Sequence, residues 1–149
     1  MSKPCSMRFR SGSAPWIGRS PGHSEGVVSA THAGRMALSD VRRIVLASSL
    51  TSRNYQGSGL SKSDVTQLNV PILWVHHKND PCRATPYSTA RNFADDAHSP
   101  LLSIVGSKNS RGDACKPFTE HGFVGVEEKT IKRILSWIRT GQIPSDVSE

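Results

Sequence analysis

A serine set between glycines two residues away on either side can be held with its hydroxyl exposed on a sharp strand-to-helix turn, and this sequence offers the pattern twice. Gly18-Arg19-Ser20-Pro21-Gly22 and Gly22-His23-Ser24-Glu25-Gly26 overlap at Gly22. In either case the glycines would admit backbone that passes too close for a side chain. Ser20 follows the better strand fragment, around Pro15-Trp16-Ile17-Gly18, but its helix would then carry Gly22 and Gly26 in the opening turns, each costing about 1 kcal/mol relative to alanine. Ser24 leaves the helix clean and puts Arg19 and Pro21 into the strand that feeds the turn. Ser24 is the favoured nucleophile and Ser20 stays open; a Gly/Ser-rich loop with no chemistry is the plain alternative.

Two further residues have types that complement a serine. Asp80, in His76-His77-Lys78-Asn79-Asp80-Pro81, follows an apolar run and could accept a hydrogen bond from an imidazole and fix its tautomer. His121, in Glu120-His121-Gly122-Phe123, sits between the last apolar run and the last helical pattern, where a side chain titrating near neutrality suits a general base. An Asp starting a turn before Pro81 and a surface-loop histidine are the bland readings. A metal set of His76, His77, His121 and Cys82 is disfavoured, because adjacent strand residues point to opposite faces and no ligand spacing is present. No metal and no cofactor is expected.

The elements that would carry these groups alternate between strand and helix signals along the chain. Val27, Val28, Ala30, Thr31, Ala33 and Ala37 suit a helix from Glu25 to about Leu38 packed closely on a sheet. Arg43-Ile44-Val45-Leu46-Ala47 fits a buried parallel strand. A Ser/Gly/Asn loop from Ser48 to about Ser63 follows. Val70 to His76 is the clearest strand, with Pro71 tolerable near its start. Thr85-Pro86 supplies a cap and first-turn proline for a helix to about Asp96. Leu101 to Val105 is a further short strand, and a long loop runs from Gly106 to Gly122. Ile131, Ile134, Leu135 and Ile138 give the stripe of a last helix on the sheet, stopped by Gly141. The expected fold class is α/β, a three-layer, mostly parallel sheet, with function at the carboxyl ends of its strands.

The 149 residues suffice for one domain with a real core. A hydrophobic content of 36% and a charged content of 21% are polar for a globular chain but short of a disordered one. The formal charge of +7 invites a nucleic-acid partner. Lys3, Arg8, Arg10 and Arg19 precede the first acid, Glu25, but the remaining cations are scattered among acids and no basic stretch is interleaved with aromatics, so no nucleic acid is expected. No run reaches the roughly 18 apolar residues of a membrane span, and Met1-Ser2-Lys3-Pro4-Cys5 lacks the apolar stretch of a signal peptide. The default expectation is a cytoplasmic protein with no membrane partner.

Ser24, Asp80 and His121 come in the chain order of the α/β-hydrolases, each at the expected kind of strand end. Val70 through Asp80, and His121-Gly122-Phe123-Val124-Gly125 leading into the last helix, resemble that family's acid and histidine segments, as in dienelactone-hydrolase-like esterases. Gly22 to Ala30 resembles its serine turn. Over residues 15 to 140 the chain thus looks like the C-terminal part of such an enzyme, with an irregular arm at 1–14, a partial hydrolase domain at 15–141 and a tail at 142–149. The resemblance implies a serine esterase in which Ser24 attacks a carboxylic ester or similar carbonyl, His121 moves the proton, Asp80 orients His121, and the Glu25 amide is one oxyanion donor.

Family members place several strands and a second oxyanion donor before the serine turn, so the chain is expected to lack the early strands. A truncated, non-catalytic remnant is therefore the alternative reading, and an unpaired sheet edge would invite self-association. The three cysteines are Cys5, Cys82 and Cys115. If the Asp80 and His121 loops meet, Cys82 and Cys115 could come within the roughly 4.4–6.8 Å between Cα atoms that a disulfide spans, which would point to an exported ancestor.

Overall fold

The computed structural model describes residues 18–36, 41–52, 59–143 and 145–148. The irregular arm expected at 1–14 and the Pro15-Trp16-Ile17 part of the first strand lie outside them. The first described element is β1, Gly18–His23, followed by α1, Gly26–Met36, and β2, Val41–Ala47. Then come α2, Lys62–Thr66; β3, Ile72–His77; α3, Tyr87–Asp96; β4, Leu101–Ile104; and α4, Glu127–Thr140. All pairings are parallel, in the order β1-β2-β3-β4 of a four-stranded sheet. Parallel neighbours require crossovers that return the chain to the same end, so every strand finishes at one edge of the layer.

The alternation of side chains along the strands builds two cores. Ile44, Leu46, Ile72 and Trp74 face one side, where α1 supplies Val27 and Ala30, α2 Val65, and α3 Ala90 and Ala94. Val45, Ala47, Leu73, Val75, Leu102 and Ile104 face the other, against Trp137 and Ile138 of α4. Strands buried on both faces read as continuous apolar runs, which is why β2 and β3 stand out in the sequence. Gly34 explains the close approach of α1: a Cβ there would collide with the Ile44 side chain. The three-layer arrangement is the one the alternation predicts.

Two local expectations need correction. The loop expected from Ser48 to Ser63 gives way early to α2, whose start is fixed by a reciprocal cap between Ser61 and Asp64. A five-residue helix carries too little periodicity to be read from an apolar stripe. On α4 the stripe is rotated: Ile131 and Leu135 are 54% and 41% exposed, while Trp137 and Ile138 are 2% and 8% exposed. Thr130 also faces inward, its hydroxyl donating to the Val126 carbonyl. The inward face is thus built on a polar Thr and an aromatic that a purely aliphatic count passes over. Arg43 on β2 fixes this rotation by donating to the Ile138 carbonyl at 2.7 Å and lying over the Trp137 ring, a cation at the negative end of the helix.

The end of the chain is held to the sheet as well. Asp146 accepts from the Ser103 amide, and Val147 pairs with Ile104 beyond β4. Among the described residues no helix is long and apolar enough to cross a membrane.

The rotated α4 face generates a direct comparison. Ile138→Ala should cost about 2 kcal/mol or more, whereas Ile131→Ala should stay within about 0.5 kcal/mol of the parent in urea unfolding. Equal losses would show that the helix rests on the sheet by the stripe read from sequence.

Candidate functional site

Ser24 lies in the two-residue turn between β1 and α1, with its backbone in the left-handed region at φ 53°. For a non-glycine residue this conformation costs of order 1–3 kcal/mol and persists only where the surroundings impose it. The Ser24 amide donates to the Ala47 carbonyl at the end of β2. A Cβ on Gly22 would come within 2.6 Å of the Gly26 oxygen and of Val27 Cα. The tightness of the turn therefore demands glycine before the serine. Glu25 completes the turn immediately before α1, where backbone N–H groups have no intrahelical acceptor. Ser20, the other candidate, lies within β1, paired with Ile44.

Asp80 follows β3 in a turn whose amide donates back to the His77 carbonyl. Its carboxylate collects three donors: the Cys82 amide on one oxygen at 2.9 Å, and Thr85 Oγ1 at 2.8 Å and His121 Nδ1 at 3.0 Å on the other. Both side chains of the Asp80–His121 pair are shielded, at 0% and 2% exposure. Electrostatic hydrogen bonds gain strength in such surroundings, and the acceptor carboxylate fixes the proton on Nδ1, leaving Nε2 as the basic nitrogen. His121 itself sits in a 3₁₀ turn, Glu120–Gly122, whose amide is capped by Thr119. Glu120 ties the turn to the preceding loop by accepting from Ser107 and Ser110, bonds that lower its carboxyl below the usual range.

Asp80 and His121 are thus brought together as expected. Ser24 joins them less directly. No hydrogen bond links Ser24 to His121 among the described residues. The connection runs through His23, whose ring packs edge-on against His121 at 5.1 Å and whose Nε2 donates to the His121 carbonyl at 3.2 Å. Ser24, His23 and Glu25 border an open cavity of about 640 Å³, lined also by Leu50, Ala84, the Cys82–Cys115 pair and the loop from Asp113 to Lys116.

Cys82 and Cys115 form a disulfide with Cα atoms 4.7 Å apart. It staples the Asp80 loop to the His121 loop and removes Cys82 from any metal-ligand set. The adjacent histidines on β3 are likewise engaged: His76 Nε2 accepts from the Ser49 amide, and His77 Nδ1 accepts from the Asn79 amide.

Several contributors escaped the sequence reading. Thr85 does not cap α3, whose N-cap is Pro86 with no side-chain bond; its hydroxyl donates to Asp80 and sits 3.2 Å from His121 Nδ1. Ser48, read as the start of a polar loop, is fully buried and donates to the His121 carbonyl at 2.7 Å. The x position of the serine turn, His23, has no sequence signal beyond its type. Burial pushes His23 below the usual histidine range, although its hydrogen bond to His121 opposes the shift.

No family model matches the sequence, and no curated protein does. Among solved structures the chain is similar to a "putative YdeN-like hydrolase" of Pectobacterium atrosepticum, with a TM-score of 0.52 and 19% identity over 75% of this chain and 55% of that one. The two share a fold, an α/β arrangement on a parallel sheet. The chain spans about half the length of that structure, the share being 55%.

The deepest histidine carries a testable consequence. Burial lowers His76 to about 3, outweighing the opposing charge of Asp80. The folded state therefore resists a proton that the unfolded chain accepts below about pH 6.5, so this stability is complete above that pH and is lost as pH falls toward 3. Between pH 7 and pH 5 the parent should lose about 2 kcal/mol more in urea unfolding than His76→Gln. Parallel losses would mean that the fold does not hold His76 neutral.

Proposed function

We propose that this protein is a serine hydrolase acting on a carboxylic ester or a similar carbonyl, with Ser24, Asp80 and His121 as its catalytic residues. The observation that carries the reading is the shielded Asp80–His121 hydrogen bond of 3.0 Å, formed beside a left-handed serine that opens on a cavity. A carboxylate buried with three donors has no evident structural need for an imidazole as one of them. As the orienting member of a proton relay it does.

In this reading Ser24 Oγ adds to the carbonyl carbon while His121 Nε2 takes its proton. The imidazolium is stabilised by Asp80, and the Glu25 amide, just before α1, donates to the developing oxyanion. His121 then protonates the leaving alcohol, and water attacking the acyl-enzyme by the same route regenerates Ser24. Ser24 and His121 need to close on each other for the first step, as such pairs commonly do only when substrate is bound. The cavity's mix of Leu50, Ala84 and Ala114 with Asp113 and Lys116 suits a small ester. A dienelactone-hydrolase-like esterase is the finer form of the same assignment. The disulfide beside the site favours an oxidising compartment over the cytosol.

Hydrolysis of a short-chain nitrophenyl ester by the purified chain tests the assignment. Turnover is expected to vanish in Ser24→Ala, persist in Ser20→Ala, and fall about 10⁴-fold in kcat in Asp80→Asn, whose amide favours the wrong tautomer of His121. Turnover indifferent to all three substitutions would reject the proposed roles. A folded parent with no turnover at all would favour a non-catalytic remnant of the fold.

A further inference from the structure

The carbonyl of His121 is engaged twice. Ser48 Oγ donates to it at 2.7 Å and His23 Nε2 at 3.2 Å, which occupies both lone pairs of the oxygen. Neither hydrogen bond involves the imidazole, although the His23 ring packs edge-on against it. Together they fix the peptide that carries it.

Ser48 makes this contact from an unusual position. It is the first residue beyond β2, fully buried, with φ 43° in the left-handed region and its own amide donating to the Val75 carbonyl of β3. A buried non-glycine residue held in this region is a strained position, and such strain points toward function when it aims a side chain. Glycine would relieve it at once. A serine instead puts a hydroxyl between the ends of β2 and β3 and turns it onto the carbonyl of the residue whose ring meets Asp80. The other donor, His23, is the immediate neighbour of Ser24. The His121 peptide is therefore referenced to the ends of three strands: β1 through His23, β2 through Ser48, and β3 through Asp80.

We infer that Ser48 is a positioning residue for His121, its hydroxyl holding the His121 peptide so that the ring stays aligned with Asp80 and within reach of Ser24. The inference rests on the hydrolase reading for its catalytic consequence, but the placement of the ring can be measured without turnover. Without the Ser48 bond the peptide keeps only the longer bond from His23 and the ring can swing about its Cα, and displacements near 1 Å can cost roughly 10² in rate.

Ser48→Gly separates the roles cleanly, because it removes the hydroxyl while accepting the left-handed backbone. In protein labelled with ¹⁵N at histidine, the parent should show His121 as a single tautomer protonated on Nδ1, with the signal assigned by its loss in His121→Gln. Ser48→Gly should shift the His121 ring nitrogens toward tautomer averaging and leave the His32 and His98 signals in place. With the nitrophenyl ester, kcat should fall about 10- to 100-fold while KM and the melting temperature hold. His23→Gln, which keeps a donor at the same reach, should retain more kcat than His23→Leu. Unchanged His121 ring nitrogens in Ser48→Gly would overturn the inference, as would a loss of kcat that only follows a lowered melting temperature. If the parent hydrolyses no ester, the hydrolase reading fails, and the ring nitrogens still decide the role of Ser48.

Discussion

Parallel pairing of all four strands is the constraint from which everything else in this molecule follows. Because each strand runs the same way, the segments after β1, β2, β3 and β4 all emerge at one edge of the sheet. Ser24, Ser48, Asp80 and the loop that leads to His121 are those segments. Residues nearly a hundred positions apart, such as His23 and His121, meet there. The two apolar cores keep the strands in register, so the precision of the site is inherited from packing that has no chemistry of its own.

Gathering polar groups at a buried edge has an energetic cost, and the structure meets it unevenly. Asp80 is fully compensated, with both oxygens supplied by donors from its own loop and from His121. The neighbouring layer is not: Ser49 Oγ, Thr51 Oγ1, Trp74 Nε1 and His76 Nδ1 are buried without hydrogen-bond partners. Left-handed residues also concentrate here, at Ser24, Ser48 and Phe123. A sheet edge that retains this much strain and unmet polarity gives up stability in favour of side-chain placement. The disulfide between the Asp80 and His121 loops opposes that loss, since a cross-link over a separation of 33 residues restricts the unfolded chain.

Much of this was legible in the sequence because it depends on local signals. The apolar runs of β2 and β3 and the glycine after α4 each have a short-range physical cause. The Asp80 and His121 loops could be found by their positions relative to those runs, and the cysteines by their positions relative to Asp80 and His121. What stayed hidden depends on contacts with no periodicity. The rotation of α4 is set by Arg43, far away in sequence, and Thr85 serves a carboxylate only because the chain turns back on itself. Ser48 has an ordinary residue type in an ordinary loop-like setting; only its backbone angle and its partner distinguish it. The choice between Ser20 and Ser24 turned on which of two glycine pairs frames the tight turn, and poor strand formers such as Arg19 and Pro21 do sit in β1, an edge strand among the described residues, where proline is tolerated.

The central claim is that Ser24 is an activated nucleophile, and its reaction with a fluorophosphonate tests that most directly. An ordinary serine hydroxyl does not react with such a probe, whereas one next to a positioned base does. Peptide mass spectrometry of the treated, folded protein should find the adduct on Ser24, and the adduct should disappear in His121→Gln. An adduct on Ser20, or no adduct on a protein that is folded by its melting transition, would contradict the account.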